Sequence, residues 1–265
     1  MTKLHELSVL GQAVWLDFIR RSPILSGELA QWVERGVRGV TSNPSIFEKA
    51  IAGSDDYDAE LRSLVEPDSS VEEIYEALAM EDIRLAAEIL RSVYDATNGL
   101  DGYVSFEVSP SLAYDTEGTV AEARRLFSAL GRPNVLIKVP ATAEGIPAIE
   151  TLIGEGINVN VTLIFSLGHY EATAAAYMAG MDTLARSGRD LAKVASVASF
   201  FVSRVDTAVD RALEAIGERE LQGKVATANA KLAYARFREI FGGERWERLA
   251  AQGARSPAYC PRQSR

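Results

Sequence analysis

Val135-Leu136-Ile137-Lys138-Val139-Pro140 reads as a buried strand with one residue that does not belong in an apolar core. A short apolar run of this kind suits a parallel strand covered on both faces. Lys138 is costly there, because burying an unpaired ammonium is strongly unfavourable and the group tends to shed its proton. A neutral, desolvated lysine amine is a nucleophile that can form a Schiff base with a carbonyl compound. The plainer alternative is a lysine with a buried stem whose amine reaches solvent at the strand end. The neighbouring segments weigh between the two.

On both sides of this run, short apolar stretches alternate with longer amphipathic ones, the rhythm of repeated β-α units around a parallel sheet. Strands are expected over 13–18, 39–42, 102–108, 135–139, 157–165 and 193–201. A helix is expected over 26–35, with Ser26 as N-cap and Gly36 after the end. The stretch 44–98 reads as largely helical, with Gly53 and Pro67 as breaks and Gly99 as a stop. Further helices are expected over 119–130, from the fourth strand to about 153, and over 168–187, 202–216 and 218–240. Six such strands suit either an open α/β sheet or part of an eight-stranded β/α barrel. The glycine fingerprint of a dinucleotide site is missing after the first strand, and no P-loop sequence is present, which weakens nucleotide-binding readings. Nothing beyond Phe201 reads as a strand, and a closed barrel wants two more.

The 265 residues are 47% hydrophobic and 25% charged, enough for a sizeable core. A formal net charge of -9 argues against nucleic-acid or anionic-membrane partners, while leaving room for a local basic pocket. One cysteine, Cys260, allows no intrachain disulfide and fits a reducing, cytoplasmic setting. The first residues show no signal-peptide pattern, and no apolar run is long enough to span a bilayer. His5 and His169 are far apart in sequence and form no metal-ligand pattern, so no metal is expected.

Alternate residues of a strand point to opposite faces. In the fifth strand Asn158, Asn160 and Thr162 share one face, opposite Ile157, Val159, Val161 and Leu163. In the third, Ser105 and Glu107 share a face, and in the second Thr41 and Asn43 do. Asp17 lies near the end of the first strand and Ser199 near the end of the sixth. Each has a plain reading alone: Asn43 before Pro44 as a helix cap, Glu107 and Asp17 as solvated acids, Thr162 as a β-former. Taken together they describe polar groups at C-terminal strand ends around a buried lysine, which a purely structural core would avoid. Schiff-base chemistry assigns the roles. Lys138 attacks a ketone. Glu107 gives and takes protons, directly or through water. Asp17 is the base for carbon–carbon cleavage. Asn43 and Asn160 hydrogen-bond the hydroxyls of a sugar-like substrate, and Thr162 orients water. Arg204, near the start of a helix, binds phosphate, unless it is a surface arginine paired with Asp206 or Asp210.

These residues together resemble transaldolase. The stretches that carry the resemblance are Gly39-Val40-Thr41-Ser42-Asn43-Pro44-Ser45, Val104-Ser105-Phe106-Glu107-Val108, and Leu136-Ile137-Lys138-Val139-Pro140-Ala141-Thr142. Two more are Asn158-Val159-Asn160-Val161-Thr162-Leu163-Ile164-Phe165-Ser166 and Ser199-Phe200-Phe201-Val202-Ser203-Arg204. Their order and spacing match from about Val14 to about Leu249, and the helical insert after Pro44 is similar to the longer bacterial branch. The resemblance implies an α/β fold of the (β/α)8 TIM-barrel type and no metal or organic cofactor. It implies transfer of a dihydroxyacetone unit from sedoheptulose 7-phosphate to glyceraldehyde 3-phosphate, giving erythrose 4-phosphate and fructose 6-phosphate. The family's functional positions carry over onto Asp17, Asn43, Glu107, Lys138, Asn160, Thr162, Ser199 and Arg204. The related fructose-6-phosphate aldolases tend to carry glutamine at the Glu107 position and tyrosine at the Phe201 position, so this chain looks like the transferase.

The pattern departs from the family at the C-terminus. Family members continue through two further strands, one of which brings a second basic residue to the phosphate, whereas residues 254–265 read as an unrelated tail. The expectation is one barrel domain over 1–265, truncated, with about six strands and the last two missing. The competing expectations are an inactive remnant of the family, a metabolite-binding barrel without turnover, and an aldolase-like lyase. A homo-oligomer is compatible with each.

Overall fold

In the computed structural model, which describes residues 2–65 and 69–262, the apolar runs become parallel strands and the amphipathic ones helices. Two units are distinguishable, Met1–Glu107 with Leu126–Leu136, and Val108–Arg125 with Ile137–Arg265.

The first unit opens with α1 (Lys3–Val9), β1 (Val14–Leu16), α2 (Arg21–Leu25) and α3 (Glu28–Glu34). It continues with β2 (Val37–Thr41), α4 (Pro44–Ala52), α5 (Asp58–Leu64), α6 (Val71–Ala96) and β3 (Tyr103–Glu107). β1 pairs parallel with β2, and β2 with β3. The expected strand over 13–18 shrinks to three residues, and Asp17 falls in the bend that follows. Ser26 is not an N-cap but the C-cap of α2; Gly27, at φ +82°, turns the chain so that the helix expected over 26–35 is instead α3. Gly36 does follow the helix end, at φ +112°. Pro67 lies outside the described residues. The 26 residues of α6 start on a capping box, with Ser70 and Glu73 each satisfying the other's backbone N–H. Its buried side carries Leu78, Ile83, Ala86, Ala87 and Leu90, the spacing of a helix with one covered face. Ala50, Tyr57 and Leu78 form a small core that ties α4, α5 and α6 together.

α7 (Thr116–Leu130) and β4 (Val135–Pro140) each contribute residues to both units. The second unit then runs α8 (Gly145–Gly154), β5 (Val159–Ile164), α9 (Leu167–Arg186), β6 (Ser196–Phe201), α10 (Ser203–Ala215), α11 (Val225–Ile240) and α12 (Glu244–Ala250). Its strands β4, β5 and β6 pair parallel in that order. Every residue of β4 and β6 is buried, as expected for parallel strands covered on both faces. α9 packs closely on α8 because Gly180 has no side chain: a Cβ there would lie 2.6 Å from the Glu150 carbonyl oxygen.

The segment expected to be an unrelated tail holds a short seventh strand, β7 (Ala258–Arg262), parallel to β6. β7 stands last in the sheet order of the described residues, a place where Pro261 is tolerated because such a strand needs fewer ladder donors. Parallel strands joined by helices in chain order place the protein in the α/β class, with the β/α repeat of the (β/α)8 TIM-barrel type.

Candidate active site

Lys138 sits in β4 and is 2% exposed, so the alternative of an amine reaching solvent does not hold. Its Cα lies opposite Asn160 of β5, and Pro140 lies opposite Thr162. Paired residues of adjacent strands project to one face, so Lys138, Asn160 and Thr162 share a face of the second unit's sheet. All three are buried. Ser199 of β6, 1% exposed, donates its hydroxyl to Asn160 Oδ1 at 2.8 Å. That bond turns the Asn160 Nδ2 donor away from Ser199. Asn158 plays a structural part, its Oδ1 accepting the Ala195 backbone N–H at 2.9 Å.

The alternation breaks immediately after Thr162. Leu163 has φ +60°, and the register of β5 on β6 shifts between Val161 and Ile164. A leucine in the left-handed region is strained, and bulges near strand ends re-aim neighbouring side chains. Simple parity places Leu163 on the apolar face; the bulge takes it out of the alternation.

Arg204 is the second residue of α10, exposed, with its guanidinium 5.1 Å from the centre of the Phe201 ring. It lines a surface groove of about 330 Å³ with Ser203, Thr207, Ala208 and Arg211. The acids that could have neutralised it are engaged elsewhere. Asp206 accepts from the Ala226 backbone N–H and Asp210 from that of Gly223.

The first unit holds the other three candidates, all at the C-terminal edge of its parallel strands. Asp17 is exposed in the bend after β1. Asn43 is the N-cap of α4, its Oδ1 accepting the Ile46 N–H at 2.9 Å. The cap role expected from Pro44 is therefore real, but it uses only the acceptor and leaves Nδ2 as a donor. Glu107 ends β3, and its Oε2 is shielded from solvent. Burial, followed by the negative charge of Glu107, pushes the Tyr75 phenol up to about 12. Thr41 lies opposite Ser105, and the buried Ser42 hydroxyl donates to the Ser105 carbonyl at 2.7 Å.

The sequence reading missed a buried polar cluster around Asp82 of α6, which is 0% exposed. Tyr57 donates its hydroxyl to Asp82 Oδ2 at 2.7 Å, and Arg21 bonds the other carboxylate oxygen. Burial holds the Asp82 carboxyl above its ordinary value, against the opposing hydrogen bonds of Tyr57 and Arg21. The signal was legible: Asp82 falls four residues after Leu78 and four before Ala86, on the apolar stripe of α6. Among the described residues no group of three His, Cys, Asp or Glu is placed to hold a metal ion, and no helix is long and apolar enough to cross a membrane.

The sequence profile described as Transaldolase/Fructose-6-phosphate aldolase matches residues 14–254. A protein named Transaldolase from Thermobifida fusca (strain YX) is 55% identical over 256 residues, covering 95% of this chain and 70% of that protein. One of the same name from Trichodesmium erythraeum is 48% identical, covering 95% and 70%. A Transaldolase 2 from Nostoc punctiforme is 48% identical, covering 95% and 69%. Identity at this level across nearly the whole chain, on the same β/α strands that carry the buried lysine and the asparagine beside it, shows that the chain belongs to the transaldolase/fructose-6-phosphate aldolase family.

Proposed function

We propose that this chain transfers a dihydroxyacetone unit from sedoheptulose 7-phosphate to glyceraldehyde 3-phosphate, releasing erythrose 4-phosphate and forming fructose 6-phosphate. The observation that carries the reading is Lys138, fully buried in β4 with its Cα opposite Asn160. A buried amine beside an oriented amide is arranged to attack a carbonyl and hold the neighbouring hydroxyls.

In this reading Lys138 Nζ adds to the ketose carbonyl, and loss of water gives an imine. Glu107 moves the protons of that dehydration. Asp17 takes the proton from the hydroxyl beside the breaking carbon–carbon bond, the aldose leaves, and the three-carbon enamine stays on Lys138. The enamine then attacks the acceptor aldehyde, and hydrolysis of the new imine frees the product ketose. Thr162 orients the water of dehydration and hydrolysis. Asn43, through Nδ2, and Asn160 hold substrate hydroxyls, with Ser199 fixing the Asn160 amide. Arg204 takes the phosphate, which the engagement of Asp206 and Asp210 by backbone N–H groups supports. The chemistry needs no cofactor, and the single cysteine is consistent with a cytoplasmic setting.

Fructose 6-phosphate and erythrose 4-phosphate, supplied together to the purified chain, test this. The reading expects glyceraldehyde 3-phosphate to appear in step with sedoheptulose 7-phosphate. With fructose 6-phosphate alone, sustained release of free dihydroxyacetone would instead mark a lyase, and no product in either case would mark an inactive chain.

A further inference from the structure

We infer that the helical insert between β2 and β3 is a clamp that positions Asp17, with Tyr57 and Asp56 as its working residues; this rests on the reading of Asp17 as the base for carbon–carbon cleavage. The loop from Asp17 to Arg20 has irregular backbone between two fixed ends. One end is β1, where Leu16 pairs with Val40. The other is the start of α2. A helix of five residues cannot hold itself, and α2 receives no side-chain cap from its own N-cap residue, Arg20.

The insert supplies that cap. The Arg21 backbone N–H donates to the Tyr57 hydroxyl at 3.1 Å, and the Ser22 N–H donates to Asp56 Oδ2 at 3.2 Å. The same Asp56 oxygen accepts from Arg20 Nε at 2.6 Å. Tyr57 is fixed in turn by its bond to the buried Asp82 carboxylate, which the Arg21 guanidinium also engages. The residues at this end of the loop are therefore gripped through main chain and side chain alike. A buried ion pair is poor evidence of added stability, since apolar residues of similar volume often serve as well or better. What this cluster adds is a fixed place for the start of α2, and so for the four residues before it. Ile19, 3% exposed, faces inward, and Asp17 at the far end of the loop stays exposed.

The test compares Tyr57→Phe and Asp56→Asn with Arg62→Ala, a control that removes only an exposed ion pair to Asp58 on the same helix α5. Two activities are read on each variant: three-carbon transfer between sugar phosphates, and borohydride trapping of free dihydroxyacetone on Lys138, which needs no carbon–carbon cleavage. The clamp predicts that kcat for transfer falls roughly tenfold or more in Tyr57→Phe, in line with the cost of misplacing a catalytic group. It predicts KM within about twofold of the parent value and an unchanged trapping rate. Asp56→Asn, at a partly exposed position, gives a smaller loss of the same kind and keeps the test open should Tyr57→Phe fold poorly. Parallel loss of transfer and trapping would show a merely structural role and overturn the inference, as would unchanged kcat in both variants. Asp17→Asn run alongside separates the failures: wild-type transfer there refutes the role of Asp17 itself.

Discussion

Asp101→Asn should make this protein more stable at neutral pH and leave it unchanged in acid. Asp101 precedes β3, where its Oδ1 accepts from Trp15 Nε1 at 3.3 Å and from the Gly102 N–H at 3.1 Å. Burial raises its carboxyl from 3.8 to about 6, against the lowering effect of those two bonds and of Arg38. The folded state therefore holds this proton more tightly than the unfolded chain does. The associated stability is complete below about pH 4, where both states are protonated, and is lost as pH rises through about 6. A displacement of that size corresponds to about 3 kcal/mol at most, and to roughly 1–2 kcal/mol once partial solvent access is allowed for. Asparagine keeps the acceptor for Trp15 and Gly102 and carries no charge at any pH. Urea unfolding of both proteins at pH 5 and pH 8, compared as the difference between the two chains, cancels the titration of other groups. The advantage of the variant should be clear at pH 8 and should shrink as pH falls below 6. An advantage independent of pH, or a variant less stable at pH 8, would refute the reasoning.

Two further changes test the packing and the polar face. Gly180→Ala should destabilise by about 1–3 kcal/mol in thermal or urea unfolding, because its Cβ would meet the Glu150 carbonyl and the Ile153 side chain at 2.6 and 2.7 Å with backbone on one side. Ser199→Ala removes the 2.8 Å donor to the buried Asn160 amide, with an expected cost of about 1–3 kcal/mol and a raised KM for sugar phosphates, measured by unfolding and steady-state kinetics.

The six strands were readable because parallel strands buried on both faces appear as short apolar runs, and 135–140, 159–164 and 196–201 are of that kind. Their ends were less so. The strand at 13–18 reads as longer than it is, since Phe18 continues an apolar pattern that the backbone abandons at Leu16. Ser26 looks like an N-cap because cap preference alone does not reveal that Gly27 turns left-handed and starts a second helix. β7 was hidden by Pro257 and Pro261, residues that argue against a central strand but not against an edge one. At the site, strand parity groups Asn160 and Thr162 on one face of the fifth strand, and the register then sets Lys138 opposite Asn160. Parity fails one residue later, at Leu163, because a bulge leaves no mark in hydrophobic alternation. Asp82 itself stands out on the apolar stripe of α6, but its partners Arg21 and Tyr57 are far from it in sequence and meet it only through the tertiary fold.

The most direct test of the central claim is to incubate the chain with fructose 6-phosphate and borohydride and to map the product by mass spectrometry, with Lys138→Met as the comparison. Because Lys138 is the buried amine of β4, the account predicts a reduced three-carbon adduct on Lys138 and none in the Lys138→Met protein. A chain that stays unlabelled while the relative from Thermobifida fusca labels normally, or one that carries the adduct on another lysine, would contradict it.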